Sequence, residues 1–171
     1  LEAPPVAGCL FLYWDVDGPQ VPGNPITVHM DAPHSATAHY RLINHDISII
    51  SVTTSTSIAY PEWVCHTIVN ITVTVKNNGE VSETFNVTAK RDNIPIGTIL
   101  VTNLGVGKNT TLIFQWNISG LTPCYNWTIK AEAPLAGDIN PGDNTLTDGT
   151  VKIAMLGDIN GDGIVNIVDI V

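Results

Sequence analysis

From residue 46 onward the chain alternates apolar and polar residues with few breaks, and that period of two limits what it can fold into more than any other feature. "DISIISVT" at 46–53 alternates, and "HTIVNITVTVKNNGEVSETFNVTAK" at 66–90 holds two more alternating runs around Asn77-Asn78-Gly79. Successive side chains of a strand point to opposite faces, so such runs predict strands buried on one side, and Asn-Gly between two of them predicts a hairpin. Further β-rich runs stand at 94–102, 110–117, 125–134 and 145–155, divided by Gly, Pro, Asn and Asp clusters. Seven short strands with frequent turn signals predict an all-β, immunoglobulin-like antiparallel sandwich over 46–155.

The parity of the runs assigns their faces. Ile71, Val73 and Val75 fall opposite Asn70, Thr72 and Thr74; Phe85, Val87 and Ala89 fall opposite Asn86 and Thr88. Leu112, Phe114 and Trp116 likewise oppose Asn117, and Trp127, Ile129 and Ala131 oppose Asn126 and Thr128. The apolar set predicts the core. The polar set contains a second message, because Asn70, Asn86, Asn109, Asn117 and Asn126 each begin an N-x-S/T sequon. Four of them fall on solvent faces and Asn109 in an expected loop, so a glycan could be attached at every one without entering the core.

Charge narrows the partners. The chain has 7 Lys and Arg against 16 Asp and Glu, a formal charge of −9, which repels nucleic-acid phosphates and anionic membrane surfaces and favours cations. No apolar run approaches the roughly 18–20 residues that span a bilayer, so no transmembrane segment is expected. The chain opens on Leu1 rather than Met, which fits a mature secreted chain whose signal peptide has been removed.

Cysteines stand at 9, 65 and 124, without a CxxC pair. Cys65 and Cys124 each directly precede an expected strand, the second and the sixth. In an up-and-down alternation those strands run the same way, so both cysteines lie at one end of the sandwich and a disulfide between them is expected. Closing so long a loop contributes on the order of 4 kcal/mol in the chain-entropy view. Cys9 is left as a free thiol or an intermolecular bridge.

The motifs "VTVKNNGEVSETFNVT", "IGTILVTNLGVGKNTTLIFQW" and "YNWTIKAEA" together resemble the CARDB family, cell-adhesion-related Ig-like domains of secreted and surface proteins in archaea and bacteria. The resemblance covers about Asp46 to Met155. It implies a seven-strand sandwich, extracellular placement and a structural or adhesive role without catalysis.

Beyond it, "DINGDGIVNIVD" resembles the calcium loop of dockerin modules, itself EF-hand-like. Asp158, Asn160 and Asp162 take ligand positions 1, 3 and 5; Gly163 permits the sharp turn; Ile164 offers its carbonyl; Asn166 and Asp169 complete the oxygen cage. Hard oxygen donors in this order suit Ca²⁺ better than Mg²⁺. One such segment is present where dockerins pair two, so cohesin binding is not implied. "GDIN" recurs at 137–140, but Pro141 and a displaced Asp143 break the spacing, leaving a loop with at most a weak second cation contact. Residues 156–171 thus form a partial calcium loop ending in an apolar terminus, Ile164 to Val171.

Residues 1–45 stand outside the sandwich pattern as an N-terminal β extension. "CLFLYWDV", "ITVHM" and "ATAHYRLI" are its expected strands, with Leu10, Leu12 and Trp14 on one face of the first and Phe11 and Tyr13 on the other. An apolar segment of this kind either folds as a small subdomain or adds a strand to a neighbouring subunit. His29, His34, His39 and His45 are close in sequence, but their spacings fit neither strand nor helix convergence, so surface positions are expected rather than a transition-metal site.

No nucleophile elbow, phosphate loop or hydrolytic histidine–carboxylate pattern occurs, so no enzyme is expected. Two functions remain open. The first is a secreted, glycosylated, calcium-binding structural or adhesion subunit that self-associates into a surface fibre or sheath by strand addition. The second is a binding module that attaches a larger protein to polysaccharide or to a surface-protein scaffold, with Trp63 as its platform.

Overall fold

The computed structural model describes residues 1–61, 67–160 and 162–170. They form two compact units, Leu1–Asn44 and His45–Val171.

The first unit is a three-stranded antiparallel sheet with β1 (Cys9–Val16) between β2 (Gln20–Val21) and β3 (Ala36–Leu42). Of the three expected strands, the run at 26–30 is absent from the sheet. Pro22 and Pro25 on its approach carry no amide donor, which removes the chain from the ladder, and Ile26 instead exchanges backbone bonds with Leu1. A bulge between Phe11 and Tyr13 also breaks the expected faces: Leu10 and Leu12 are exposed while Trp14 is buried. Phe11 meets the rings of Trp14 and Tyr40 at 5.9 and 5.8 Å, giving this small unit its own aromatic centre.

The second unit is an Ig-like sandwich of β4 (Ile47–Thr54), β5 (Ile58–Ala59), β6 (Ile68–Asn77), β7 (Glu83–Arg91), β8 (Ile94–Leu104), β9 (Asn109–Asn117), β10 (Tyr125–Glu132) and β11 (Thr145–Ile153). One sheet has the order β5-β11-β10-β7-β8, the other β4-β6-β9. The seven expected strands are present, and β5 makes the count eight among the described residues. Two residues long, it pairs with β11 in parallel, so the sandwich is not wholly antiparallel. "STSIA" around it is too short to show a period.

The core lies where the parity placed it. Ile71, Val73, Val75, Val87, Ala89, Ile129 and Ala131 are fully buried, and each Val or Ile contributes about 1.5–3 kcal/mol by leaving water.

The expected hairpin at Asn77-Asn78-Gly79 is a crossover instead: β6 pairs with β4 and β9, and β7 with β8 and β10. Asn77, fully buried, explains the departure. Its amide nitrogen donates to the carbonyls of Val81 and Leu104, both at 2.7 Å, and its side-chain oxygen accepts from the Gly79 amide at 2.9 Å. The Asn78 and Gly79 amides then both donate to the Asp46 carbonyl, which turns the chain from one sheet to the other rather than back on itself.

The C-terminal segment has turns and one 3-10 helix, Ile167–Ile170, and no α-helix flanks its loop among the described residues. The expected EF-hand-like element is therefore a loop without EF-hand helices.

Candidate metal centres

The corner built by that crossover also gathers three acids. Asp46 directly precedes β4, while Asp138 and Asp143 lie on the connection from β10 to β11. Backbone bonds bring the segments together: Ile139 donates to the His45 carbonyl and Ile49 to the Asp143 carbonyl, both at 2.9 Å. One carboxylate oxygen from each of the three acids lies within 4.8 Å of the other two.

The local bonds leave this trio incomplete. Asp138 is fully engaged, one oxygen accepting from the Ile47 amide at 3.0 Å and the other from the Asn140 amide at 2.8 Å. Asp143 accepts from the Asn140 side chain at 2.8 Å through Oδ2 only. Its Oδ1 and that of Asp46 are buried with no hydrogen-bond partner. Burial, followed by the neighbouring charges of Asp46 and Asp138, pushes the Asp143 carboxyl above the usual carboxylate range. Half-buried carboxylates with unpaired oxygens this close repel one another unless a proton or a cation intervenes. An all-oxygen donor set of this kind matches a hard divalent ion.

No local spacing announces these three residues together, because Asp46 is far from the other two in sequence. The one visible signal was the second "GDIN", which read as a loop with at most a weak cation contact; its Asp138 is the acid that ties the corner together.

The C-terminal loop is arranged differently. Asp158 accepts from the amides of Asp162 at 3.1 Å and Gly163 at 2.9 Å. Asn160 Oδ1 accepts from Asp162 N at 3.0 Å, and Asp162 Oδ1 from Ile164 N at 2.9 Å. Asp169 is buried and accepts from Ile159, Asn160 and Asn166 at 2.9, 3.3 and 2.7 Å. These backbone bonds, Asn166 foremost, hold its carboxyl below the usual range. Gly163 has φ +85°, the left-handed turn expected of it. Asn160, Asp162, Ile164 and Asn166 are exposed. The acids of this loop thus face its own amides, and among the described residues only the Asp46 trio brings three acids within ligating reach of one another.

Cys65 and Trp63 lie outside the described residues. Cys124 carries a free, exposed thiol at φ 63°, donating to Asp158 Oδ2 at 3.5 Å; desolvation, then the Asp158 carboxylate, push that thiol up. Cys9 is a half-buried free thiol.

All five sequon asparagines are exposed. Asn109 departs from the expected loop position by opening β9, and Asn117 closes the same strand with its side-chain oxygen on the Ser119 amide at 2.9 Å.

Of the four expected surface histidines, two share a partner: His34 sits between Asp17 and Asp31 at 2.5 and 3.0 Å, and His29 lies 3.8 Å from the same Asp31, while His39 stacks on Tyr13 at 4.6 Å and His45 bonds Glu83 at 2.6 Å.

The sandwich and its surface chemistry define an Ig-like module, and comparison with known proteins gives it a family. Residues 46–152 match CARDB, so the chain belongs to the CARDB family. A CARDB domain from Pyrococcus furiosus, solved in complex with di-metal ions, shares the fold at TM-score 0.53 and 16% identity, covering 66% of this chain and 96% of that one. A domain from Methanosarcina acetivorans, described as part of a cell surface protein, aligns at TM-score 0.48 and 25% identity, covering 63% of this chain and 92% of that one. No curated protein matches the chain. No helix among the described residues is long and apolar enough to cross a membrane.

Proposed function

We propose that this chain is a non-catalytic structural or adhesive module of the cell exterior whose sandwich is locked by a divalent cation at Asp46, Asp138 and Asp143. One observation carries the metal reading: two buried carboxylate oxygens without partners, in a trio of acids held by backbone bonds. A cation there ties the entrance of β4 to the connection between β10 and β11, so binding energy becomes folding energy. The di-metal complex of the Pyrococcus furiosus domain is a precedent on the same fold.

Calcium is the ion this reading assigns, on the strength of the all-oxygen donors. The loop from Asp158 to Asp169 is its second, weaker site; there Asn160, Asp162, Ile164 and Asn166 trade bonds or exposure to water for the ion. Glycans at the five exposed sequons fit the exterior placement, as does assembly of copies with one another.

Calorimetry with calcium on the full chain, beside an Asp46→Asn/Asp143→Asn variant and an Asp162→Ala/Asp169→Ala variant, tests the assignment. Wild type is expected to bind two classes of ion and melt higher with calcium; free ion at 100 times Kd gives about 2.7 kcal/mol. Each variant is expected to lose one class. Absence of binding heat together with an unchanged melting temperature overturns the metal reading.

A further inference from the structure

The two sheets of the sandwich end side by side on β8 and β9, and neither strand has a backbone partner on its outer side among the described residues. Open edges of this length are templates for another strand, and proteins ordinarily blunt them with charge, shortness or cover. At the opposite margin of the five-stranded sheet the two-residue β5 covers the end of β11. The margin formed by β8 is interrupted by Pro95 and by register shifts opposite Glu83/Phe85 and Ala89/Lys90, and runs regular and open from Gly97 to Val101. "IPIGTILVTNL" runs for 11 residues and "NTTLIFQWN" for 9, and neither contains an ionisable side chain. Leu100 and Ile113 stand 56% and 60% exposed along this margin. A groove of about 520 Å³ runs between the strands, lined by Ile96, Ile99 and Ile113 among others.

We propose that β8 is a self-pairing edge, at which two copies of this chain join antiparallel about a two-fold axis and merge their five-stranded sheets into one. This rests on the self-association reading above and names its contact.

Three observations select a second copy as the occupant. The chain carries −9, so copies repel one another over most of their surfaces, and a charge-free strand is where they can approach. No sequon lies on β8 itself; Asn86 on β7 is paired with Leu100, so a glycan there would cover the outer face beside the contact and leave the in-plane backbone edge of β8 free. An antiparallel strand also complements itself, donor to acceptor, under a two-fold axis, whereas a foreign partner must bring a free edge of its own.

Sedimentation of the full chain tests it, beside Thr98→Lys/Leu100→Lys and Thr98→Glu/Leu100→Glu variants. Both positions are exposed, and the side-chain bond lost is that between the Thr98 and Thr88 hydroxyls at 2.9 Å, so circular dichroism should match wild type and melting stay close to it. Wild type is expected to dimerise. Each variant alone is expected to dissociate at least tenfold more readily, and an equimolar mixture of the two to recover a mixed dimer. A monomeric wild type overturns both this proposal and self-association. Assembly that persists unchanged in the lysine variant, or variants that lose assembly without recovery on mixing, overturns the β8 contact alone.

Discussion

His34 is held from both sides: Nδ1 lies 2.5 Å from Asp17 Oδ2 and Nε2 lies 3.0 Å from Asp31 Oδ1, while the Ser35 amide donates to Asp17 at 2.8 Å. The bond to Asp17, then that to Asp31, raise the His34 pKa above its ordinary 6.5, and the bonds from His34 and Ser35 lower that of Asp17 below 3.8. A raised imidazole stabilises the fold fully below 6.5 and loses that contribution as pH climbs through its folded value. A lowered carboxylate stabilises above 3.8 and loses its contribution as pH falls through its folded value. The strap joining residues 17 and 34 is therefore firmest between those ordinary values. Amide exchange at Ser35 is expected to quicken as pH rises past the raised His34 value, beyond the intrinsic base-catalysed trend, and His34→Gln should remove that excess. Strand parity revealed the outward asparagines because neighbouring residues set it. The His34 clasp and the Asp46 trio were hidden because loop closure sets them.

At the scale of elements, the same division holds. The seven strands of the sandwich were legible, as were the buried faces of β6, β7, β9 and β10, since alternation reports burial directly; the missing strand at 26–30 and the two-residue β5 were not. The Asn77-Asn78-Gly79 turn was not, because a hairpin and a sheet-to-sheet crossover call for the same turn residues; what decides is whether Asn77 points into the core. Its three side-chain bonds make it the pivot of the crossover. Asn77→Ala is expected to lower stability by about 3 kcal/mol, by leaving the Val81 and Leu104 carbonyls buried without their donor. Urea unfolding with an unchanged m-value would register it as a loss of stability rather than of compactness. Asn77→Asp is expected to be no better, since a carboxylate supplies no donor to either carbonyl.

For the whole molecule, charge and edge pairing oppose each other. A formal −9 repels copies at long range, while the contact proposed at β8 contains no charge to be screened. The Debye length falls from about 10 Å at 0.1 M salt to about 3 Å at 1 M, so self-association should tighten as salt rises. Sedimentation equilibrium across that range measures it; weakening with salt would point to ion pairs at the contact instead. The unequal margins of the larger sheet set how far such joining can proceed. With a two-residue strand at one side and an open strand on the other, the larger sheet of each copy is a tile with one long border. When two tiles meet along β8 that border is consumed, while β9, a margin of the smaller sheet, stays open, so any stacking beyond a pair has to run through a second border of different sequence.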